Sequence, residues 1–214
     1  MWIFLPLILL PWINVIDLGL ARALYPFATT PTMQFLFDWG PHLANLTALI
    51  AFFALFFPKN LYKKECLAVV LTLVLGAGLL VNVLLKDHWG RPRPRQVTEF
   101  GGTQVFRPFY SPNFFHQTEP CRSFPSGHAA NGFFFFAPAL AARRHNYTKT
   151  AAACFVLALT LGGALSYTRM AQGGHFFSDV LAAAYIMWGM SLLSLYLVDK
   201  VFNKNVLRKQ KQRR

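Results

Sequence analysis

The chain has 214 residues, of which 55% are hydrophobic and 14% charged, and its formal net charge is +13. A soluble domain carries about a quarter charged residues, so this composition excludes an ordinary water-soluble globule and reads as an integral membrane protein. The basic residues fall mostly between apolar segments and at the C-terminus, so the charge is topological and argues against nucleic acid as a partner.

In chain order, Met1 to Leu10 is apolar and Ala21-Arg22-Ala23 has the small-x-small look of a cleavage site. No Lys or Arg precedes Arg22, however, and Pro6, Pro11, Asn14 and Asp17 interrupt the apolar core, so the segment reads as a retained first helix. Six segments are apolar and long enough, or nearly so, to cross roughly 30 Å of hydrocarbon. They are Trp2–Leu24, His42–Phe57, Cys66–Leu85, Ser126–Ala142, Thr150–Tyr167 and Ser178–Val198. The expected fold is an all-α membrane bundle of six helices in one domain covering 1–214, with a long outer-face loop, 86–125, between the third and fourth helices.

Loop charges set the orientation. Lys59, Lys63 and Lys64 follow the second helix; Arg143, Arg144 and Lys149 follow the fourth. The tail, 199–214, adds Lys200, Lys204, Arg208, Lys209, Lys211, Arg213 and Arg214. All three groups fall on one side of a six-helix arrangement, and the positive-inside rule makes that side, with both termini, cytoplasmic. Of the three cysteines, Cys66, Cys121 and Cys154, only Cys121 then lies in an outside loop, so no intramolecular disulfide is expected.

The outer loop is too long for an idle connection and reads as a lid or binding loop. It carries Phe100, Phe106, Phe109, Tyr110, Phe114, Phe115 and Phe124 among prolines and Gly101-Gly102. Aromatics at that level suit either an interfacial belt or contact with a lipid substrate.

Three short stretches where apolar segments meet polar loops carry chemistry. His175 and Asp179, four apart at the start of the last helix, share a face in this reading, and the carboxylate can accept Nδ1–H and leave Nε2 free as a nucleophile. Arg169 precedes them, with Gly173-Gly174 allowing a tight turn, and its fork suits phosphate oxygens. Ser126 is a natural N-cap, Gly127 leaves room for an anion, and His128 sits where it can protonate a leaving oxygen. Lys86 ends the third helix and Arg93 follows among prolines that keep the backbone stiff; Arg91, Arg95 and Arg107 read instead as contacts to anionic lipid heads.

These residues resemble the type 2 phosphatidic acid phosphatase superfamily of membrane lipid phosphatases, with the vanadium haloperoxidases as soluble relatives. Its first motif is Lys, six residues, then Arg-Pro, matched by Lys86, Arg93 and Pro94; the second is Pro-Ser-Gly-His, matched from Pro125 to His128. The third is Ser-Arg, five residues, His, three residues, Asp, matched by Arg169, His175 and Asp179 with Thr168 in place of Ser. The resemblance implies that His175 attacks phosphorus, Asp179 orients it and His128 protonates the leaving group. Lys86, Arg93, Ser126, Gly127 and Arg169 would hold the phosphoryl oxygens.

Prearranged cations and N–H dipoles can stabilise the transition-state charge without a metal, so no cofactor is expected. The implied activity is dephosphorylation of a lipid phosphate or pyrophosphate at the outer, periplasmic face of a bacterial inner membrane. Candidate substrates are lipid A phosphates, undecaprenyl pyrophosphate, phosphatidylglycerophosphate and phosphatidate. The stretch from Gly90 to Arg95 and on through Glu99-Phe100-Gly101-Gly102 is similar to bacterial branches that include lipid A phosphatases. A lipid phosphotransferase using the same phosphohistidine, and a non-catalytic lipid-phosphate binder or transporter, are the alternatives.

Overall fold

In a computed structural model of the chain, the backbone is described for residues 5–25, 29–115, 117 and 119–212, and side chains for 12–25, 29–115, 117 and 119–203. The architecture is helical, with no strand among the described residues. Helix α1 is Leu5–Leu24, α2 Pro31–Ala54, and α3 Lys63–Leu71, which runs on without a break as a π-helical stretch, Thr72–Leu85. After the long loop come α4 Gly127–Phe133, α5 Phe136–Arg144, α6 Thr148–Ala171 and α7 Phe177–Gln212. Among the described residues, three helical stretches are long and apolar enough to cross a membrane: Lys63–Leu85, Thr148–Ala171 and Phe177–Asn203.

Several boundaries differ from the sequence expectation, each for a local reason. Residues 2–4 of the expected first helix lie outside the described residues. Helix α2 starts at Pro31 rather than His42, because Thr30 caps it (Oγ1 accepts from Met33 N at 3.2 Å) and Pro31 occupies the first turn, where no N–H is needed. Pro41 therefore lies inside the helix, not ahead of it. The expected fourth helix, Ser126–Ala142, is broken at Phe134–Phe135. Pro138 accounts for the break: it has no N–H to offer the Phe134 carbonyl, and its ring crowds that carbonyl. Helix α7 continues past Val198 to Gln212, so much of the expected basic tail is helical.

Small residues let the helices close on one another. Short α4 packs against α2, the π-helical stretch, α6 and α7, with Ala129, Ala130 and Phe134 fully buried. Its closest neighbour is α6: a Cβ on Gly132 would come 2.5 Å from Gly162 Cα, and one on Gly162 would strike the Phe133 ring at 2.5 Å. Ala44 and Ala48 of α2, Ala77 and Val81 of the π stretch, Ala158 of α6 and Ala183 and Met187 of α7 complete this core. Apolar side chains also point outward along the helices, among them Phe53, Leu159, Tyr185 and Tyr196.

The outer loop is folded on itself. Trp89 Nε1 donates to the Phe109 carbonyl at 2.7 Å, and its ring packs on Phe114 and Phe124. Buried Val97 packs with Ala21 of α1 and Phe176, which docks the loop on two helix ends. Cys121 is buried within it, and burial raises its thiol pKa, with Glu119 adding to the effect.

The Gly132–Gly162 contact makes a stability prediction. Gly132→Val should push α4 off α6 and cost roughly 1–3 kcal/mol, lowering the unfolding midpoint in detergent. Gly163→Ala, where an added Cβ meets nothing within 4 Å, should leave the midpoint unchanged or slightly raised.

Candidate active site

The three stretches meet at one end of the helices. His175 lies not on α7 but in the turn before it, so the expected shared helix face does not place it. Its position comes instead from Gly173, at φ 61°, and from a hydrogen bond to the outer loop. His175 Nδ1 donates to the Ser123 carbonyl at 2.5 Å, while Asp179 Oδ2 stands 3.7 Å away, beyond hydrogen-bond range. The expected acceptor was Asp179; the observed one is a backbone carbonyl. Since a carbonyl can only accept, Nδ1 carries the proton and Nε2 keeps its lone pair whenever the ring is neutral. Burial pushes the imidazole pKa down to about 4, with Arg169 and Lys86 adding to the shift and Asp179 opposing it, so the ring is neutral at pH 7.

Asp179 is the hub of the site. Its Oδ1 accepts from Arg91 at 2.5 Å, and Oδ2 accepts from Ser123 Oγ at 2.6 Å and from Phe176 N at 2.8 Å. Its backbone carbonyl accepts from Ser126 N at 3.2 Å, tying the start of α7 to the start of α4. Arg91 is therefore not a lipid-headgroup contact: it is fully buried, and it also pairs with Asp17 of α1 at 2.7 Å. Arg95 is exposed and Arg107 half-buried, and their backbones support the site, Arg95 N donating to Gly173 O and Arg107 O accepting from Arg91 Nε.

The phosphate-site candidates behave differently. Ser126 Oγ caps α4 by accepting from Ala129 N at 3.3 Å. A Cβ at Gly127 would strike Asn82 Oδ1 and come 3.3 Å from Lys86 Nζ, so only glycine admits this approach. A Cβ at Gly174 would likewise strike the Arg169 guanidinium. Phe37 of α2 stacks on His128 (centroids 4.6 Å apart, planes 14°) and carries Arg169 Cζ 4.8 Å from its centroid. Arg169 NH1 donates to Gln172 Oε1 at 2.5 Å, and its buried Nε has no protein partner among the described residues.

Among the described residues Lys86, Arg93 and Arg169 form no salt bridge, although buried Arg91 next to them has two. Burial lowers the Lys86 pKa to about 8, and the nearby Arg93 and Arg169 charges lower it further than Asp87 restores it. Arg93 is also pushed down, by burial and then by Arg95 and Arg122. Three crowded cations that form no salt bridge among the described residues are suited to an anion of two or more charges. The His, Cys, Asp and Glu side chains among the described residues form no group that could hold a metal ion.

Sequence reasoning missed Asp17, Phe37, Ser123 and Ser178 as parts of this region. A carboxylate in an otherwise apolar segment is itself a signal, since an ionisable group at that depth needs a partner, and it could have marked Asp17. The partners of Phe37 and Ser123 are far away in sequence, and nothing local pointed to them.

Three relatives match about half of their own length to this chain. A lipid A 4'-phosphatase of Francisella tularensis subsp. novicida is 42% identical over 125 residues, 58% of this chain and 53% of the relative. A lipid A 4'-phosphatase of Rhizobium leguminosarum is 37% identical over 124 residues, 57% of this chain and 50% of the relative. A lipid A 1-phosphatase of Rhizobium etli is 36% identical over 137 residues, 64% of this chain and 52% of the relative. No solved structure matches the chain. The PAP2 superfamily model matches residues 67–203, a stretch that contains Lys86, Arg93, Ser126, His128, Arg169, His175 and Asp179, and the chain belongs to that superfamily.

Proposed function

We propose that this chain is an integral membrane phosphatase that removes a phosphate group from lipid A through a phosphohistidine intermediate. The observation that carries the reading is the pairing of a neutral His175, its Nδ1–H bound to the Ser123 carbonyl, with three cations that form no salt bridge among the described residues. The relatives' names direct the substrate to lipid A among the lipid phosphates considered. A groove of about 610 Å³ bordered by Asn45, Leu73, Ala77, Asn82 and Asn131 lies one turn below Lys86 and can take part of a lipid chain.

In the proposed reaction Nε2 of His175 attacks phosphorus as the bond to the leaving oxygen breaks, and His128, protonated once the bound phosphate dianion offsets the Arg169 and Lys86 charges beside it, supplies that oxygen's proton. Lys86, Arg93 and Arg169 hold the equatorial oxygens, with the first N–H groups of α4 beside them. Water then attacks the phosphohistidine, its proton passes to His128, and the N–P bond breaks to release orthophosphate and neutral His175. The cations supply the charge stabilisation a metal would otherwise give, which supports a metal-independent reaction.

Purified protein should release orthophosphate from lipid A in EDTA, and His175→Ala should lower turnover roughly 10³-fold or more. An acid-labile, base-stable phosphoryl group should be trapped on the wild type and missing from His175→Ala. Release that depends on added Mg²⁺, or full activity in His175→Ala, would sink the mechanism.

Lys86 sets the alkaline limit. Its pKa is lowered to about 8, so the free enzyme holds the charge below that pH and loses it above. The profile of kcat/KM, which reports the free enzyme, should fall above about pH 8, whereas kcat should fall later because bound phosphate restores the proton. Lys86→Arg should move that limb upward by about a unit or more; an unmoved limb would assign it to another group.

The proposed topology has six crossings with both termini in the cytoplasm and the site on the periplasmic face. Buried Cys121 is unsuited as a reporter of that face, but Phe115, 89% exposed at the loop surface, is suited. A membrane-impermeant maleimide applied to intact spheroplasts should label Phe115→Cys and spare Cys66 and Cys154. The reverse pattern would place the site in the cytoplasm.

A further inference from the structure

Asp17 stands outside the stretch that matches the superfamily, yet it is built into the site. It is fully buried in α1. Oδ1 accepts from Ser178 N at 2.7 Å, and Oδ2 accepts from Ser178 Oγ at 2.6 Å and from Arg91 at 2.7 Å. Arg91 gives its other terminal nitrogen to Asp179 at 2.5 Å and to Ser178 Oγ at 2.7 Å, and its Nε to the Arg107 carbonyl at 2.9 Å. The Phe176 ring closes one side of the guanidinium, 4.6 Å from Cζ. Every polar atom of the Asp17 carboxylate is thus spent on Arg91 or on the first turn of α7.

Two features go beyond what a simple tether needs. First, Ser178 and Asp179 are adjacent, so Asp17 grips the backbone and hydroxyl of the residue next to the hub carboxylate. Second, Arg91 is shared between two carboxylates, which leaves one unit of negative charge in a dry region beside His175. Alone with Asp179, Arg91 would neutralise that carboxylate. With Asp17 taking part of the arginine, Asp179 keeps negative potential 3.7 Å from the imidazole. That potential is useful when Nε2 bonds to phosphorus, because the ring then carries both substituents and becomes cationic. A low-dielectric site makes the effect large, since little water screens it.

We propose that Asp17 is a positioning residue for catalysis, holding Arg91 and the first turn of α7 so that Asp179 can stabilise the cationic ring of phosphorylated His175. The proposal rests on the reading that His175 attacks phosphorus. It says that a helix outside the family match contributes to rate rather than to phosphate binding, because Asp17 touches none of Lys86, Arg93 or Arg169.

The test uses the full chain in lipid nanodiscs, with Asp17→Asn, Asp179→Asn and the double variant, and rates referred to the monodisperse folded fraction. Asn keeps the size and can still accept from Ser178 N, but it cannot balance Arg91. Asp17→Asn should lower kcat about tenfold or more while KM stays within about twofold. In the Asp179→Asn background the same change should alter kcat less than about twofold, because its route is already cut. A purely structural role would lower the yield and melting temperature but leave kcat per folded molecule unchanged, and that result overturns the proposal. Equal losses in both backgrounds overturn it too. If Asp17→Asn does not accumulate folded, Ser178→Ala, which removes only the hydroxyl between Asp17 and Arg91, should still lower kcat about threefold or more with KM unchanged; wild-type kcat there overturns the proposal. A wild-type protein that releases no phosphate from lipid A would instead overturn the functional reading beneath it.

Discussion

A carboxylate sealed from water must be matched by donors or it does not stay ionised, and Asp179 is such a carboxylate. It is fully buried, and its matches come from three separate parts of the chain: Arg91 and Ser123 in the outer loop, and the backbone N–H of Phe176 ahead of α7. Its own carbonyl holds Ser126 at the start of α4. Withdrawing any one donor leaves a buried charge short of partners, so the loop, α4 and α7 are locked in mutual register by one residue, its side chain holding the loop and its carbonyl holding α4. The geometry around His175 follows from that lock: Ser123, drawn in by its hydroxyl to Asp179, turns its carbonyl to His175 Nδ1.

Much of this was legible in the sequence because it is local. Apolar length marked where helices lie, and the types and spacings of Lys86, Arg93, Ser126, His128, Arg169, His175 and Asp179 marked three stretches that the fold gathers at one end of the helices. What was not legible depends on partners distant in the chain. Arg91 looked like its neighbours Arg93 and Arg95, one basic residue among prolines, and only the fold separates it by burying it between Asp17 and Asp179. The His175–Asp179 spacing suggested a helix face, whereas the helix begins at Phe177 and a loop carbonyl supplies the hydrogen bond. Pro138 was visible all along, but the run Phe133 to Phe136 reads as uninterrupted apolar helix and conceals the break.

Part of the aromatic loop serves neither of the two roles considered for it. Trp89, Phe109 and Phe124 stack with one another, and Phe106 packs edge-on against Phe176, so these rings hold the loop together. Phe115 and Val105 face outward, 89% and 80% exposed, and Tyr110 is half exposed while its hydroxyl accepts from Asn14 of α1 at 2.7 Å. The inner set gives the loop a fixed shape; the outer set gives it an apolar rim beside the site. A loop that is rigid inside and apolar outside can rest on a bilayer surface without unfolding, because the residues in contact with lipid are not the ones that hold its shape.

The break ahead of Pro138 gives α4 an unusual mechanical position. Here α5 is joined to α4 through Phe134 and Phe135, where the regular hydrogen-bond ladder lapses and both rings are buried in the core. Helix α4 is meanwhile wedged among α2, the π-helical stretch, α6 and α7, with Ala129 and Ala130 fully buried. The break therefore separates two pieces with different neighbours: α4, which opens with Ser126, Gly127 and His128, and α5, which rests on α3, α6 and α7.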